Sequence, residues 1–304
     1  MSWKIALFQN RVELRLTADQ LSITQEGQMT LLPLQDLCAI VLETPQITLT
    51  SALLSKLNAH NVALITCNEK HIPNGILLGF HQHSRQTEVT QLHINMGHPL
   101  KKQLWKRIIQ QKVHNQAYAV HPYSKDHSKR INRLALTIKS GDKENIEAQA
   151  AKIYWQKIFY QGYRRHGGCI IDMGLNYAYS VIRAMIARCI SAFGLIPSLG
   201  VHHCNQLNAF NLSDDLIEPF RPLIDAFVKE RITDEHMLLS ELSPLTRKEL
   251  ASIGFAPCEM NQKTYEIATA IDEMCQSFLR ALREKDPKLL YLPSFANRNG
   301  AIDE

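Results

Sequence analysis

The sequence predicts an α+β fold, with an N-terminal antiparallel β-sandwich-like domain followed by a larger, all-α domain. Three observations lead to this prediction. At 304 residues, the chain is longer than one typical domain, so two are expected. Short runs that alternate apolar and polar residues crowd the first 80 positions, which is typical of strands. Beyond position 99, apolar residues recur at the three-to-four-residue spacing of a helix.

The first part of the chain is predicted to hold short strands and one helix. Val12, Leu14 and Leu16 alternate with polar residues and so share one face of a strand. The helix begins at Thr50 or Ser51, since either side chain can cap it. The remaining strands are predicted at 3–8, 21–24, 29–32, 38–42, 61–66 and 75–80.

Apolar stripes predict the helices of the second part. Trp105, Ile108 and Val113 mark the first stripe, and Ile146 and Ile153 mark another. The predicted helices begin at Pro99 and after Asp142, and others cover 129–138, 172–193, 246–253 and 262–283.

These elements divide the chain into four predicted parts. Residues 1–84 form the β-rich domain, and the polar segment 85–94 is the interdomain linker. Residues 95–285 form the helical domain. The tail, residues 286–304, carries prolines and a glycine and is expected to be loose.

Composition excludes several classes of protein. The seven cysteines are an odd number without a Cys-x-x-Cys pair, which favours reduced thiols in a cytoplasm. The chain begins without a signal-peptide pattern, and no apolar run approaches the roughly 20 residues of a membrane span. A cytoplasmic protein without membrane contact is therefore expected. Neither the nucleophile elbow Gly-x-Ser-x-Gly nor a phosphate-binding P-loop occurs.

The excess of positive charge lies in the second part of the chain. The net charge is +5, yet residues 1–84 hold five Lys/Arg and six Asp/Glu. Between Glu88 and Asp126 no acidic residue occurs, so the helix there either presents a solvated basic face or meets a polyanion. The candidate DNA-binding residues are Lys101, Lys102, Lys106, Arg107, Arg130, Arg133, Arg164, Arg165 and Arg221.

Three segments offer ligands for a metal ion. They carry Glu147, His203, and the pair Asp215 and Glu218, which are three apart and share a face if that turn is helical. Two carboxylates and an imidazole suit Mn²⁺, and carboxylates suit Mg²⁺. The alternative is that these are unrelated loop and surface residues.

A zinc site is a rival reading of the same region. His202, His203 and Cys204 are adjacent in the sequence. Neighbouring residues rarely ligate one ion together, and no second Cys/His pair lies at zinc spacing.

Three motifs follow one another along the second part of the chain. The first comprises Asn145, Glu147, Ala148, Ala150, Ala151, Tyr154 and Trp155, and His203 follows it. The last is the run 215–222, which reads Asp-Leu-Ile-Glu-Pro-Phe-Arg-Pro. Taken in order, these motifs resemble the CRISPR-associated spacer-acquisition integrases, and the resemblance covers nearly the whole chain. His202 and His203, followed by Asn208, Phe210, Asn211, Leu212 and Asp214, resemble the branch that accompanies type II systems.

The resemblance implies a function and a set of site residues. Glu147, His203 and Glu218 would be catalytic and would bind Mg²⁺ or Mn²⁺; Asp215 and His202 are secondary candidates. A DNA 3′-hydroxyl would attack a phosphodiester at a CRISPR repeat boundary by transesterification, and endonuclease activity would accompany the joining. One departure is Ala148, where the family often has Gly; the added methyl is expected to be tolerated.

The resemblance also implies partners. These are double-stranded DNA (the captured fragment and the CRISPR repeat and leader), a second copy of the chain that pairs through the β domain, a small companion protein that bridges two dimers, and the type II effector nuclease.

Two other functions remain open at this point. One is a structure-selective, metal-dependent nuclease that acts on branched DNA. The other is a non-catalytic DNA-binding scaffold, although carboxylates near phosphates would repel them.

Overall fold

Two four-stranded sheets form the first part of the chain. The computed structural model describes residues 4–79, 83–160, 162–232 and 239–296. The strands are β1 (Lys4–Phe8), β2 (Val12–Thr17), β3 (Gln20–Gln25), β4 (Gln28–Pro33), β5 (Leu37–Leu42), β6 (Ile47–Leu49), β7 (Ala63–Cys67) and β8 (Pro73–Leu77). Their orders are β4-β3-β2-β6 and β1-β5-β7-β8. With the helices that follow, they confirm the α+β prediction. Trp3 and Phe80, at the ends of two predicted strands, lie outside the described residues.

Both sheets are mixed, so the prediction of purely antiparallel pairing is wrong in this respect. β5 pairs in parallel with both β1 and β7, and β2 pairs in parallel with β6. Parallel neighbours need a crossover connection. The antiparallel strands β2–β4 supply one between β1 and β5, and helix α1 (Ser51–Ala59) supplies one between β5 and β7. All six residues of β5 are buried, as expected of a parallel strand covered on both faces.

Helix α1 begins as the sequence predicts. The Thr50 hydroxyl accepts a hydrogen bond from the Leu53 backbone nitrogen at 3.3 Å. This bond satisfies one of the amide groups left without a partner at a helix start. Leu53 and Leu57 then lie buried on the face that packs beneath the sheets.

The segment predicted as an irregular linker is helical. Helix α2 (Gln86–Ile94) buries only Val89 and His93 of its nine residues, which explains why its composition hides the helical period. The backbone nitrogen of Ile196 donates to His93 Nδ1 at 3.1 Å and ties α2 to the second part of the chain. The position of the domain boundary itself stays a prediction.

Within the described residues, eight further helices build the second part. They are α3 (His98–Val120), α4 (Lys125–Thr137), α5 (Ile146–Ile158), α6 (Ile170–Ala192), α7 (Asn211–Leu216), α8 (Arg221–Arg231), α9 (Pro244–Ala251) and α10 (Ile267–Glu284). Their apolar faces share one buried cluster with Val41 of β5 and Ile65 of β7, so one sheet packs directly on the helices. In the described parts of the chain, no helix is both long and apolar enough to cross a membrane.

The second part also contains a small sheet, so the all-α prediction for this domain is wrong in that detail. The strands β9 (Pro257–Met260), β10 (Lys263–Glu266) and β11 (Ser294–Phe295) pair in the order β10-β9-β11. Residues 286–296 of the predicted loose tail are therefore part of the fold, with Leu290 fully buried. The remaining tail residues, 297–304, lie outside the described residues.

Candidate active site

Helix α5 holds Glu147 in its first turn. The Asp142 carboxylate accepts hydrogen bonds from the backbone nitrogens of Ile146 at 2.9 Å and Glu147 at 3.0 Å, and so caps the helix. Ile146, Ala150 and Ile153 are buried, as the sequence predicts. Burial of that stripe turns the Glu147 side chain towards helix α3, where it is 28% exposed.

Lys112 of α3 lies between Glu147 and Glu218. Its ammonium nitrogen forms an ion pair with Glu147 Oε1 and lies 2.5 Å from Glu218 Oε2. The Lys112 side chain is only 11% exposed. Although burial alone would lower the pKa of Lys112, the two glutamates outweigh it and raise that pKa, so the ammonium stays charged.

A tight turn presents Glu218 to this lysine. Glu218, Pro219 and Phe220 form a 3₁₀ turn between α7 and α8, and Pro219 restricts its backbone. Asn115 of α3 donates to the Pro219 carbonyl at 2.7 Å, which holds the turn against α3. Arg221 Nε donates to Glu218 Oε1 at 2.8 Å. Despite the opposing effect of burial, Lys112 and Arg221 lower the pKa of Glu218 to about 2, so it is ionised at neutral pH.

Asp215 organises the loop that carries His203. Its fully buried carboxylate accepts from the backbone nitrogens of Val201 at 2.5 Å, His202 at 3.0 Å and His203 at 3.1 Å. It also accepts from His203 Nδ1 at 2.7 Å. That bond raises the pKa of His203 against the effect of burial. Because Nδ1 is engaged, Nε2 is the imidazole nitrogen left to face a ligand.

Gly200 is required by the close approach of this loop to α7. A Cβ atom at position 200 would lie 2.2 Å from the His203 carbonyl oxygen and 2.7 Å from Asp215 Oδ2. Both distances are shorter than atoms tolerate, so the loop closes over Asp215 only with glycine here.

Trp105 supports the two histidines from below. Its ring stacks on His202 with centroids 4.1 Å apart, and meets the His203 ring edge-on at 5.8 Å. Because Trp105 is buried, its ring provides a rigid surface against which both histidine rings pack. His202 is thus a stacking residue, and no contact joins it to the glutamates.

A buried polar cluster lies behind Arg221. Tyr154 of α5 donates to Asp225 Oδ2 at 2.7 Å, and Tyr179 of α6 donates to Asp225 Oδ1. Burial raises the pKa of Asp225 to about 6, although both tyrosine bonds oppose the rise. The guanidinium of Arg221 lies over the Tyr179 ring at 4.6 Å. Tyr179, which this cluster holds in place, therefore restrains the guanidinium of Arg221, the partner of Glu218.

The carboxylates fit a cation, although an ammonium lies between them here. Glu218 Oε2 is buried and faces the Lys112 ammonium at 2.5 Å, so it is an anionic oxygen that already pairs with a cation. Oxygen ligands of this kind suit Mg²⁺ and Mn²⁺. Among the described residues, however, no three His, Cys, Asp or Glu side chains already lie close enough together to hold a metal ion. Neither the predicted ligands Glu147, His203 and Glu218 nor the zinc alternative of His202, His203 and Cys204 forms such a group, and Cys204 is exposed.

The predicted DNA-binding residues fall into two groups, and their role stays a prediction. Lys102, Arg130, Arg133 and Arg164 are exposed, and Lys101 and Lys106 are partly exposed. The other three already have partners within the chain. Arg107 donates to the Leu290 carbonyl, Arg165 pairs with Asp172, and Arg221 pairs with Glu218.

The family model of CRISPR associated protein Cas1 matches residues 5–241 of this chain. The chain belongs to the Cas1 family. A similar Cas1 relative, the CRISPR-associated endonuclease Cas1 of Neisseria meningitidis serogroup C (strain 8013), is 38% identical over 294 residues, which are 96% of each chain.

Two solved structures share the Cas1 fold. One is a casposase bound to an integration product, with a TM-score of 0.70 and 17% identity over 94% of this chain and 91% of the other. The second is a Cas6-RT-Cas1–Cas2 complex, with a TM-score of 0.72 and 13% identity. It covers 98% of this chain but only 36% of that longer one. These likenesses concern the fold alone.

The structure brings the predicted site residues together in two pairs. Glu147 and Glu218 share Lys112, and His203 and Asp215 share a hydrogen bond. Sequence reasoning missed the role of Lys112, because it treated all the basic residues of this helix as one face that is either solvated or meets a polyanion. A signal was available, because Lys112 follows Trp105 by seven residues and Ile108 by four, which places it on the buried stripe.

Proposed function

We propose that this Cas1-family chain is a divalent-metal-dependent DNA nuclease and integrase. It joins the 3′-hydroxyl ends of captured DNA to a phosphodiester of the CRISPR repeat by transesterification. The observation that carries the proposal is the meeting of Glu147 and Glu218, from distant segments, on a single cation.

Glu147, Glu218 and His203 would hold Mg²⁺ or Mn²⁺. Three features support this assignment: Glu218 is ionised, its buried Oε2 already faces a cation, and Asp215 leaves His203 Nε2 free. His203 also lies near enough to Glu218 for that charge to raise the histidine's pKa, so the two pairs belong to one electrostatic unit. A bound divalent ion would neutralise charge that develops on the phosphate and activate the attacking hydroxyl.

The protein's own residues supply positioning rather than a nucleophile. Asp215 keeps the proton on His203 Nδ1 and orients the ring. Arg221 positions Glu218 through a hydrogen bond, and Asp142 positions Glu147 by capping the start of α5. Such fixed placement is what a reaction between two DNA ends needs, because the hydroxyl and the phosphate must align.

DNA and two kinds of protein partner are part of the proposal. The exposed basic residues of α3 and α4 would bind the phosphate backbone of double-stranded DNA. A second copy of the chain would pair through the β-rich domain, and a small companion protein would bridge two such dimers. The name of one structural neighbour, a Cas6-RT-Cas1–Cas2 complex, supports the companion protein, and that of the casposase bound to an integration product supports strand transfer.

A strand-transfer assay tests the proposal. The protein is mixed with Mn²⁺, a short duplex with free 3′ ends and a repeat-containing target, and joined products are measured. We expect Glu147→Ala and His203→Ala to abolish joining while the fold and most DNA affinity are retained, because both side chains are partly exposed. Glu144→Ala is the matched control, since Glu144 is an exposed acid near the same helix start.

The products separate the proposal from its alternatives. Joined strands that disappear with a chelator support the integrase. Cleavage of branched DNA without joining would indicate a structure-selective nuclease. DNA binding with no metal-dependent product at all would indicate a scaffold.

A further inference from the structure

Lys112 lies at the place that a metal ion would need. Its nitrogen is 2.5 Å from Glu218 Oε2 and also contacts Glu147 Oε1. A Mg²⁺ ion bound to both oxygens would lie about 2.1 Å from each. The ammonium already contacts both oxygens, so a metal ion that bound the same pair of oxygens would compete with it for that place.

We infer that Lys112 is an internal placeholder for the metal: it pairs Glu147 and Glu218 before metal binds and leaves when metal arrives. The inference rests on the proposed metal dependence. It assigns Lys112 a positioning role, since the lysine acts on the two ligands and not on the DNA.

The Lys112 ammonium helps to balance the charge of the two glutamates when no metal is bound. Two glutamates face two cations, Lys112 and Arg221, so the metal-free cluster is formally neutral. Without Lys112, two carboxylates would face each other with one counter-ion, and they would repel each other and any approaching phosphate. With Lys112 still in place, a divalent ion would give the mostly buried cluster a charge of +2. If the metal replaced Lys112, the charge would be +1, so charge balance favours exchange of the two cations over binding of both.

The inference predicts that removal of the lysine strengthens metal binding. Lys112→Met keeps most of the side-chain volume and removes the competing charge. We expect Mn²⁺ to bind Lys112→Met at least tenfold more tightly than the wild type, and to raise its melting temperature by more. Lys106→Met is the matched control: it removes a partly exposed lysine from the same helix and should leave Mn²⁺ affinity unchanged.

Mn²⁺ binding is measured on the full chain by electron paramagnetic resonance of the free ion and by calorimetry. Equal or weaker binding by Lys112→Met, in a wild type that binds Mn²⁺, overturns the role of Lys112 and leaves the proposed function intact. If neither protein binds Mn²⁺ at millimolar concentration, the metal-dependent function falls and this inference falls with it.

A second measurement uses the wild-type protein, in case the variant does not fold. Acetic anhydride labels accessible amines, and mass spectrometry reads the extent at each lysine. We expect labelling of Lys112 to rise several-fold when Mn²⁺ replaces a chelator, because the ammonium loses both partners. Labelling of exposed Lys102 should stay constant and serves as the reference. Labelling of Lys112 that is unchanged by Mn²⁺ overturns the inference.

Discussion

Asp215→Asn offers a demanding test of how the site is built. The structure makes Asp215 the anchor of the His203 loop, because its buried carboxylate accepts four hydrogen bonds from Val201, His202 and His203. The substitution keeps the shape of the side chain but replaces one acceptor oxygen with an amide donor. It therefore separates an anchoring role from simple occupation of space.

The expected cost follows from these contacts. Three bonds come from backbone N–H groups, and bonds to a charged acceptor contribute roughly 1.5–3 kcal/mol each, although not additively. The amide group of asparagine would face at least one N–H donor, and a buried unpaired donor costs about 1–3 kcal/mol. We expect a total loss of about 3–5 kcal/mol in the free energy of unfolding, near the upper end for single substitutions.

The pKa of His203 provides a second readout. The bond to Asp215 is the largest cause that raises this pKa in the folded protein. A raised pKa contributes stability that is fully present below the unfolded value of 6.5 and is lost as the pH rises through the folded value. In Asp215→Asn, nuclear magnetic resonance should show the His203 pKa falling, and this pH dependence of stability should shrink.

Asp214→Asn is the matched control. Asp214 is the adjacent carboxylate, pairs with Arg183, and is partly exposed, so we expect a loss of about 1 kcal/mol and a much smaller change in the His203 pKa. Asp215→Asn that melts within the error of the wild type, or that leaves the His203 pKa unchanged, would refute the anchoring role.

Three further predictions follow from buried contacts. Glu43→Gln should lower stability by about 3–5 kcal/mol, since it leaves buried Arg247 without its charged partner 2.9 Å away; a thermal shift within error contradicts this. Burial lowers the pKa of His93 to about 4, so stability should fall by about 3 kcal/mol as the pH drops from 6.5 to 4. His93→Asn should abolish that acid-induced loss, as measured by denaturant unfolding at each pH. Gly200→Ala should reduce strand transfer about 100-fold through displacement of the His203 loop, whereas Gly97→Ala, with its nearest contact at 3.7 Å, should not.

The periodicity of the sequence predicts most elements but not how they pair. The alternating Val12, Leu14 and Leu16 lie in strand β2, residues 38–42 lie in β5, and the α5 stripe is buried as expected. Parallel pairing depends on which distant strand comes to lie beside β5, and no local pattern encodes that. Helix α2 was missed for a related reason, since a helix with two buried residues shows almost no period.

The candidate site shows the same division between local and distant information. The residues of the two pairs can be predicted from the sequence, because Glu147 and Glu218 each lie in a recognisable local motif. Lys112 cannot be assigned by residue type, because lysines are almost always solvated. Its spacing from Trp105 and Ile108 places it on the buried stripe, but only the fold shows that its ammonium pairs there with two carboxylates.

The site residues divide into a fixed pair and an adjustable pair. Asp215 and Glu218 are buried and held by several partners each, and the Asp225 cluster backs the Glu218–Arg221 pair. The side chains of Glu147 and His203 are 28% and 42% exposed, and each is held at one end only. We therefore expect a metal-binding site to form by movement of the Glu147 and His203 side chains towards Glu218, because these two are the more exposed of the four. The departure of Lys112 is the larger step, so we expect it, rather than the reach of the histidine, to limit how readily the site takes up metal.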